Sequence, residues 1–278
     1  MTIEPSDVKL DYITIAKARR MSGLRIVLGA YPIPGPWRES CKGVFYVKGL
    51  EYVPVRTGND GSSDVALGMD GTQTELIEWT GQASAPVVAW NDERPRSSWV
   101  DQLNLAERLA PNPPLIPIDI DERARMFGLA NELLGENGLV WVKRLLAIDG
   151  PLKSLSADDP QRAFWIFLGE KYGYSLAAAA RAVQRIEAVV TAFANQLKAQ
   201  QARGRRYLVG DGLSALDIYW AACCGILDPM PPERCPMADA FRLAYGNTDP
   251  SIGKALTREL RAHRDFIYDE HLEMPIVF

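Results

Sequence analysis

The chain is poor in the residues that build metal and redox centres. Its 278 residues include four cysteines and two histidines. Cys41, Cys223, Cys224 and Cys235 form no Cys-x-x-Cys pair, so neither a dithiol redox site nor a zinc ribbon has its ligands. The adjacent Cys223 and Cys224 are poorly placed to bridge each other, and buried, reduced thiols are the expectation. His263 and His271 fall among Arg261, Arg264, Asp265 and Glu270, which reads as a solvated helix face rather than a metal site. Apolar runs are short as well. The longest, Ile218 to Leu227, is about half of the roughly 18–20 residues that cross a bilayer. Residues 1–22 carry Glu4, Asp7 and Asp11 and no continuous apolar stretch, unlike a secretory signal. Basic clusters are nearly missing, the densest being Arg203-Gly204-Arg205-Arg206. With a net charge of -4, nothing draws the chain to nucleic acid or to an anionic membrane. The expectation is a cytoplasmic protein without metal, nucleic acid or membrane as partner.

What is present is core-forming material: 47% of the residues are hydrophobic, enough for folded domains, and the length fits two of them. Leu24 to Leu28 reads as a buried strand. Gly29 to Gly35 is a loop holding Pro32 and Pro34. A helix begins near Trp37, buries Cys41, Val44, Phe45 and the stem of Lys48, and stops at Gly49. Leu50 to Arg56 reads as a second strand, placed at a sheet edge by Pro54. Residues 57–74 are rich in Gly and Ser and read as a long loop. A short helix over Glu75–Trp79 follows, then a strand over Val87–Trp90 turned by Asn91-Asp92. Ser98 and Asp101 have the spacing of a capping box for a helix that ends by Ala110.

Beyond Pro111-Asn112-Pro113-Pro114 the pattern is helical throughout. Asp119 or Asp121 opens one helix, and a second spans about Leu139 to Ile148. A loop with Pro151 and Pro160 precedes a helix over 161–172. Ser175 caps a long helix with Val183, Ile186, Val190, Phe193 and Leu197 on one stripe. Ser214 to Leu227 is apolar and helical, and 251–271 reads as one amphipathic helix. The division predicted is a 1–22 extension, a mixed α/β domain over 23–110, a linker over 111–116 and an all-helical domain over 117–278.

Two segments resemble the glutathione transferase superfamily. The first is the run from Arg25 to Arg56 with its Lys48-Gly49-Leu50 helix end, followed by Gln82-Ala83-Ser84-Ala85-Pro86-Val87-Val88, which is similar to the family's cis-proline turn. The second is Tyr207-Leu208-Val209-Gly210-Asp211-Gly212-Leu213-Ser214-Ala215-Leu216-Asp217. It resembles the buried capping box that opens a core helix in that family. The resemblance implies a thioredoxin-like α/β N-terminal domain and an all-α C-terminal domain. It also implies glutathione as co-substrate, an apolar electrophile as second substrate, and a homodimer.

The resemblance further implies where chemistry sits, at the end of the first strand and the start of the first helix. There this chain departs from the pattern. The position of the family's catalytic serine or cysteine falls on Gly35, which has neither hydroxyl nor thiol. The position of its tyrosine falls on Tyr31. Ser40, about one turn into the helix, is the second catalytic candidate, and Cys41 lies deeper. Backbone N–H groups near Trp37 and Arg38 are a further alternative. For glutathione itself the resemblance implies Ala85 and Pro86 against the peptide backbone, Ser97, Ser98 or Asp101 at the γ-glutamyl end, and Trp37 at the wall. A plain helix cap explains Ser98 and Asp101 equally well. A non-catalytic protein of the same fold, a ligand carrier or interaction module, is the other reading.

Overall fold

The computed structural model describes residues 10–29, 33–57, 73–237 and 239–278. In chain order its elements are α1 (Ile15–Ala18), β1 (Leu24–Leu28), α2 (Pro36–Val47), β2 (Val53–Arg56), α3 (Thr74–Thr80), β3 (Val87–Trp90) and α4 (Trp99–Leu109). Helices alone follow: α5 (Ile120–Leu134), α6 (Leu139–Ser154), α7 (Arg162–Tyr172), α8 (Leu176–Gln201), α9 (Ala215–Cys224), α10 (Asp239–Tyr245), α11 (Pro250–Ala255) and α12 (Arg258–His271). The chain divides into two compact units. The first runs to Leu115 and takes in Pro229–Leu243 and Ile267–Phe278. The second comprises Ile116–Asp228 and Ala244–Phe266.

The first unit is thioredoxin-like. Its three strands lie in the order β2-β1-β3, with β1 parallel to β2 and antiparallel to β3. Central β1 is buried along its whole length, as its apolar sequence requires. Arg25 is the exception in type, and its charge is tolerated because the guanidinium donates to the Ala18 carbonyl at 3.2 Å and the Asn91 carbonyl at 2.6 Å. Burial lowers the pKa of Arg25, and Asp92 pulls it back up. Asn91 adopts a positive φ of 46° and its side chain accepts the Gly23 N–H at 2.9 Å, which closes the turn after β3.

Pro54 sits on edge strand β2, where the missing N–H is harmless. The outer side of β2 is met by Ile13, whose N–H donates to the Pro54 carbonyl and whose carbonyl accepts from Arg56, both at 3.0 Å. Within the described part of the 1–22 extension, Ile13 thus lies extended beside β2, and the helix that follows, α1, is a single turn. Helix α2 starts at Pro36 with Gly35 as N-cap and ends before Gly49, whose φ of +63° suits glycine.

In the second unit α6 packs against α5, α7 and α8, while α5 also packs against α9. The Ser175 hydroxyl accepts the Ala178 N–H at 3.1 Å and starts α8. Ile186, Val190, Phe193 and Leu197 form its buried stripe, and Phe193 stacks on Trp220 with ring centroids 5.0 Å apart. The segment leading to α9 is stapled to α8 by Gln200, which donates to the carbonyls of Tyr207 at 2.9 Å and Gly210 at 3.0 Å.

Three expectations are corrected here. Pro151 lies inside α6 rather than in a loop; the residue before it is Gly150, which has no Cβ to clash with the proline ring. The helix expected over 251–271 is broken at Leu256–Thr257, where the Thr257 hydroxyl accepts the Leu260 N–H at 3.3 Å and starts a new helix. His263 is buried, with 5% exposure, and is no part of a solvated face. Helix α10 was not legible in the hydrophobic pattern. The residues expected to form the 57–74 loop lie mostly outside the described residues, as do residues 1–9 of the 1–22 extension. No described helix is long and apolar enough to cross a membrane.

Candidate functional site

The sheet register brings separate pieces of the first unit to one edge. β1 and β3 pair from Leu24–Trp90 to Val27–Val87. Beyond that last pair, Leu28 still pairs with Arg56 of β2, and the register sets it and Gly29 beside Ala85-Pro86, whose peptide bond is cis. Val88 forms a two-bond bridge with Arg96, at 2.9 and 2.8 Å. An antiparallel bridge there carries Ser97 and Ser98 back toward the same edge. Gln102, buried on α4, locks the arrangement by donating from Nε2 to the Pro86 carbonyl at 3.0 Å and the Arg96 carbonyl at 3.3 Å.

Helix α2 points its N-terminus into this edge. The Gly35 N–H donates to the Ile33 carbonyl at 2.9 Å, and the Gly35 carbonyl accepts from Glu39 at 2.8 Å. Arg38 is buried and donates to the carbonyls of Gly29 and Ile33, so one guanidinium holds both ends of the loop between β1 and α2. Its Nε lies 3.0 Å from Glu39 Oε1, and Lys42 Nζ lies 3.0 Å from Glu39 Oε2. At the far end of α2, buried Lys48 pairs with Glu107 at 2.7 Å and donates to the Pro113 carbonyl at 2.6 Å.

Of the residues the sequence singled out, Trp37, Ala85, Pro86, Ser97, Ser98 and Asp101 fall along this edge. Trp37 and Ala85 are half-buried, Pro86 is buried, and Ser97, Ser98 and Asp101 are exposed. The Ser98 hydroxyl accepts the Asp101 N–H at 3.1 Å, the hydroxyl half of the expected box. Tyr31 lies outside the described residues. Ser40 is 1% exposed, and its hydroxyl has no hydrogen-bond partner among the described residues. Cys41 is buried; desolvation first, and then the charge of Glu39, push its thiol far above the ordinary range, with Lys42 opposing. A thiol so placed is no thiolate nucleophile.

Sequence reasoning missed Arg38, Glu39 and Lys42 as a buried charge cluster, and Gln102 as the brace of the turn. The Glu39–Lys42 pair had a signal, since opposite charges three residues apart meet on one helix face. Gln102 had none, because its partners are known only once β3 and α4 are packed. Among the described residues no group of three or more His, Cys, Asp or Glu side chains is placed to hold a metal ion.

No protein-family model and no curated protein sequence matches the chain. Solved structures do. The beta-etherase LigF from Sphingobium sp. strain SYK-6 superposes with a TM-score of 0.53 at 16% identity, covering 84% of this chain and 98% of its own. A glutathione S-transferase from Methylobacillus flagellatus KT with glutathione bound gives a TM-score of 0.53 at 12% identity, covering 87% and 98%. Another, from Xanthobacter autotrophicus Py2, gives 0.51 at 15%, covering 90% and 96%. At such identities the likeness is one of fold, and the chain has the glutathione transferase fold.

Proposed function

We propose that the chain is a glutathione transferase that binds glutathione along this edge of the first unit. There it adds the glutathione sulfur to an apolar electrophile, or uses it to displace a group from one. The observation that supports this best is the register that sets Ala85 beside the exit of β1, with Gln102 bracing the turn. Ala85 lies beyond the paired part of the sheet, so a peptide-like ligand can lie along it as a short added strand. The γ-glutamyl end then meets the start of α4. Its carboxylate faces the hydroxyls of Ser97 and Ser98 at a helix N-terminus, and its ammonium faces Asp101. Trp37 covers the cysteinyl portion. The thiol is directed to the start of α2, whose partial positive charge favours the thiolate. In this reading Tyr31 donates to the sulfur and Ser40 is the reserve donor. The thiol proton passes to solvent, the sulfur forms a bond to the electrophilic carbon, and the leaving group departs with its electron pair. The same reading makes the chain a cytoplasmic homodimer.

A specific observation favours a second reading, a non-catalytic carrier of the same fold. Gly35, the N-cap of α2, has no hydroxyl, the Ser40 hydroxyl is buried, and the Cys41 thiol is held protonated. Turnover with excess glutathione over a panel of an aryl halide, an epoxide and a β-aryl ether separates the two. A thioether product formed above the uncatalysed rate is expected. Saturable glutathione binding with no product from any electrophile establishes the carrier instead.

A further inference from the structure

Beside α2, within the first unit, lies a cavity of ≈ 550 Å³, a size that holds a small organic molecule. None of the residues assigned above to glutathione lines it. Its floor is Glu39 and Lys42, both buried. These two charges are already engaged. The Lys42 ammonium meets Glu39 Oε2 at 3.0 Å and donates to the Val277 carbonyl, and Glu39 Oε1 accepts from Arg38 at 3.0 Å. The walls are aromatic and aliphatic, with Tyr46, Tyr52 and Tyr268 on one hand and Leu272 and Ile276 on the other. The rim carries Glu51 and Glu273, both exposed and without an ion pair among the described residues. The pKa of the Tyr52 phenol is raised first by its burial and then by neighbouring groups, Cys41 before Glu39 and Glu273.

This combination selects a ligand by charge. An anion is repelled by the unpaired rim carboxylates. A neutral molecule gains only the apolar wall. A cation with an apolar body gains the wall, the tyrosine rings that line it and the carboxylates together. We infer that the cavity is a binding site for a small organic cation with an apolar body, of the aryl- or alkylammonium class, separate from the glutathione reading and independent of it.

Calorimetric titration of the full chain with benzyltrimethylammonium tests this, with phenylacetate as the matched anion and benzyl alcohol as the neutral control. The cation is expected to saturate one site while the anion gives no saturable heat. Tyr46→Ala and Glu273→Gln change exposed side chains and leave the core intact; each is expected to weaken cation binding by about two- to fivefold and to leave glutathione binding unchanged. No saturable heat with the cation overturns the inference. So does phenylacetate or benzyl alcohol binding as tightly as the cation, or both variants binding the cation like the parent.

Discussion

Asp217 Oδ1 lies 2.9 Å from Nε2 of His263, a residue forty-six positions further along the chain. The same oxygen accepts the Leu208 N–H at 2.8 Å. Oδ2 accepts the N–H and the hydroxyl of Ser214 at 3.0 and 2.7 Å. Asp217 is 0% exposed, so its carboxylate is the buried junction of α9, α12 and the segment before α9. Removing it strands these donors in the core. Asp217→Ala is expected to cost about 3–5 kcal/mol, more than the ~0.5–2 kcal/mol of an ordinary helix cap. Thermal denaturation is the check, with a fall in melting temperature on the order of 10 °C expected. A shift no larger than that of an exposed cap contradicts the junction.

Part of that junction is readable in the sequence and part is not, for a physical reason. Ser214 and Asp217 are three residues apart, and helix geometry alone brings them together. His263 meets Asp217 only after α12 has packed, and its surroundings in sequence are charged, so it reads as solvated. The same contrast recurs in the first unit. The strands over 24–28 and 87–90, the helix stop at Gly49 and the turn at Ala85-Pro86 all rest on local pattern, and all form. The Arg38 clasp and the Gln102 brace depend on partners such as Gly29, Ile33 and Pro86 that no local pattern supplies. The assignment of Ile267–Phe278 to the first unit is likewise a tertiary fact, absent from any linear division of the chain.

The cysteines carry a prediction about pH. All four are free and buried. Desolvation is the main cause that pushes Cys224 and Cys235 up to about 12. A thiol reagent at pH 8 should therefore modify less than one equivalent in the native protein and all four in denaturant. The sign for stability follows from the same shifts. Between the ordinary thiol value of 9.0 and about 12, the unfolded chain has lost protons that the folded chain keeps. Stability is thus fully present below about pH 9 and declines as pH rises toward 12. Melting temperature measured across that window should fall, and less steeply in Cys224→Ala. A flat profile contradicts the burial of these thiols.

Gly35 is open to a gain-of-function test. Its φ is -63°, and among the described residues a Cβ added there meets only Arg38 Cβ at 3.7 Å, an ordinary contact. Gly35→Ser should fold as the parent does and place a hydroxyl at the N-terminus of α2. The bound glutathione thiol is expected to ionise about one pH unit lower, ~1.4 kcal/mol of added thiolate stabilisation. Thiolate absorbance against pH reads this out, and an unchanged titration removes the start of α2 as the thiol's position.

Tyr31 is tested by deleting only its hydroxyl. Tyr31→Phe should raise the apparent pKa of the bound thiol by about one to two units, at ~1.4 kcal/mol per unit, and lower turnover while leaving glutathione affinity nearly intact. If the phenol is merely packing, the two proteins titrate identically, and activation falls to Ser40 or to the backbone of α2.

In the proposed function glutathione lies along the edge formed by the start of α2, the Ala85-Pro86 turn and the start of α4. Backbone amide shifts followed by NMR during titration with reduced glutathione test it directly. Saturable displacements are expected to be largest at Trp37, Ala85, Ser97, Ser98 and Asp101. No displacement at saturating glutathione, or displacement confined to the cavity residues Tyr46, Tyr52 and Leu272, contradicts it.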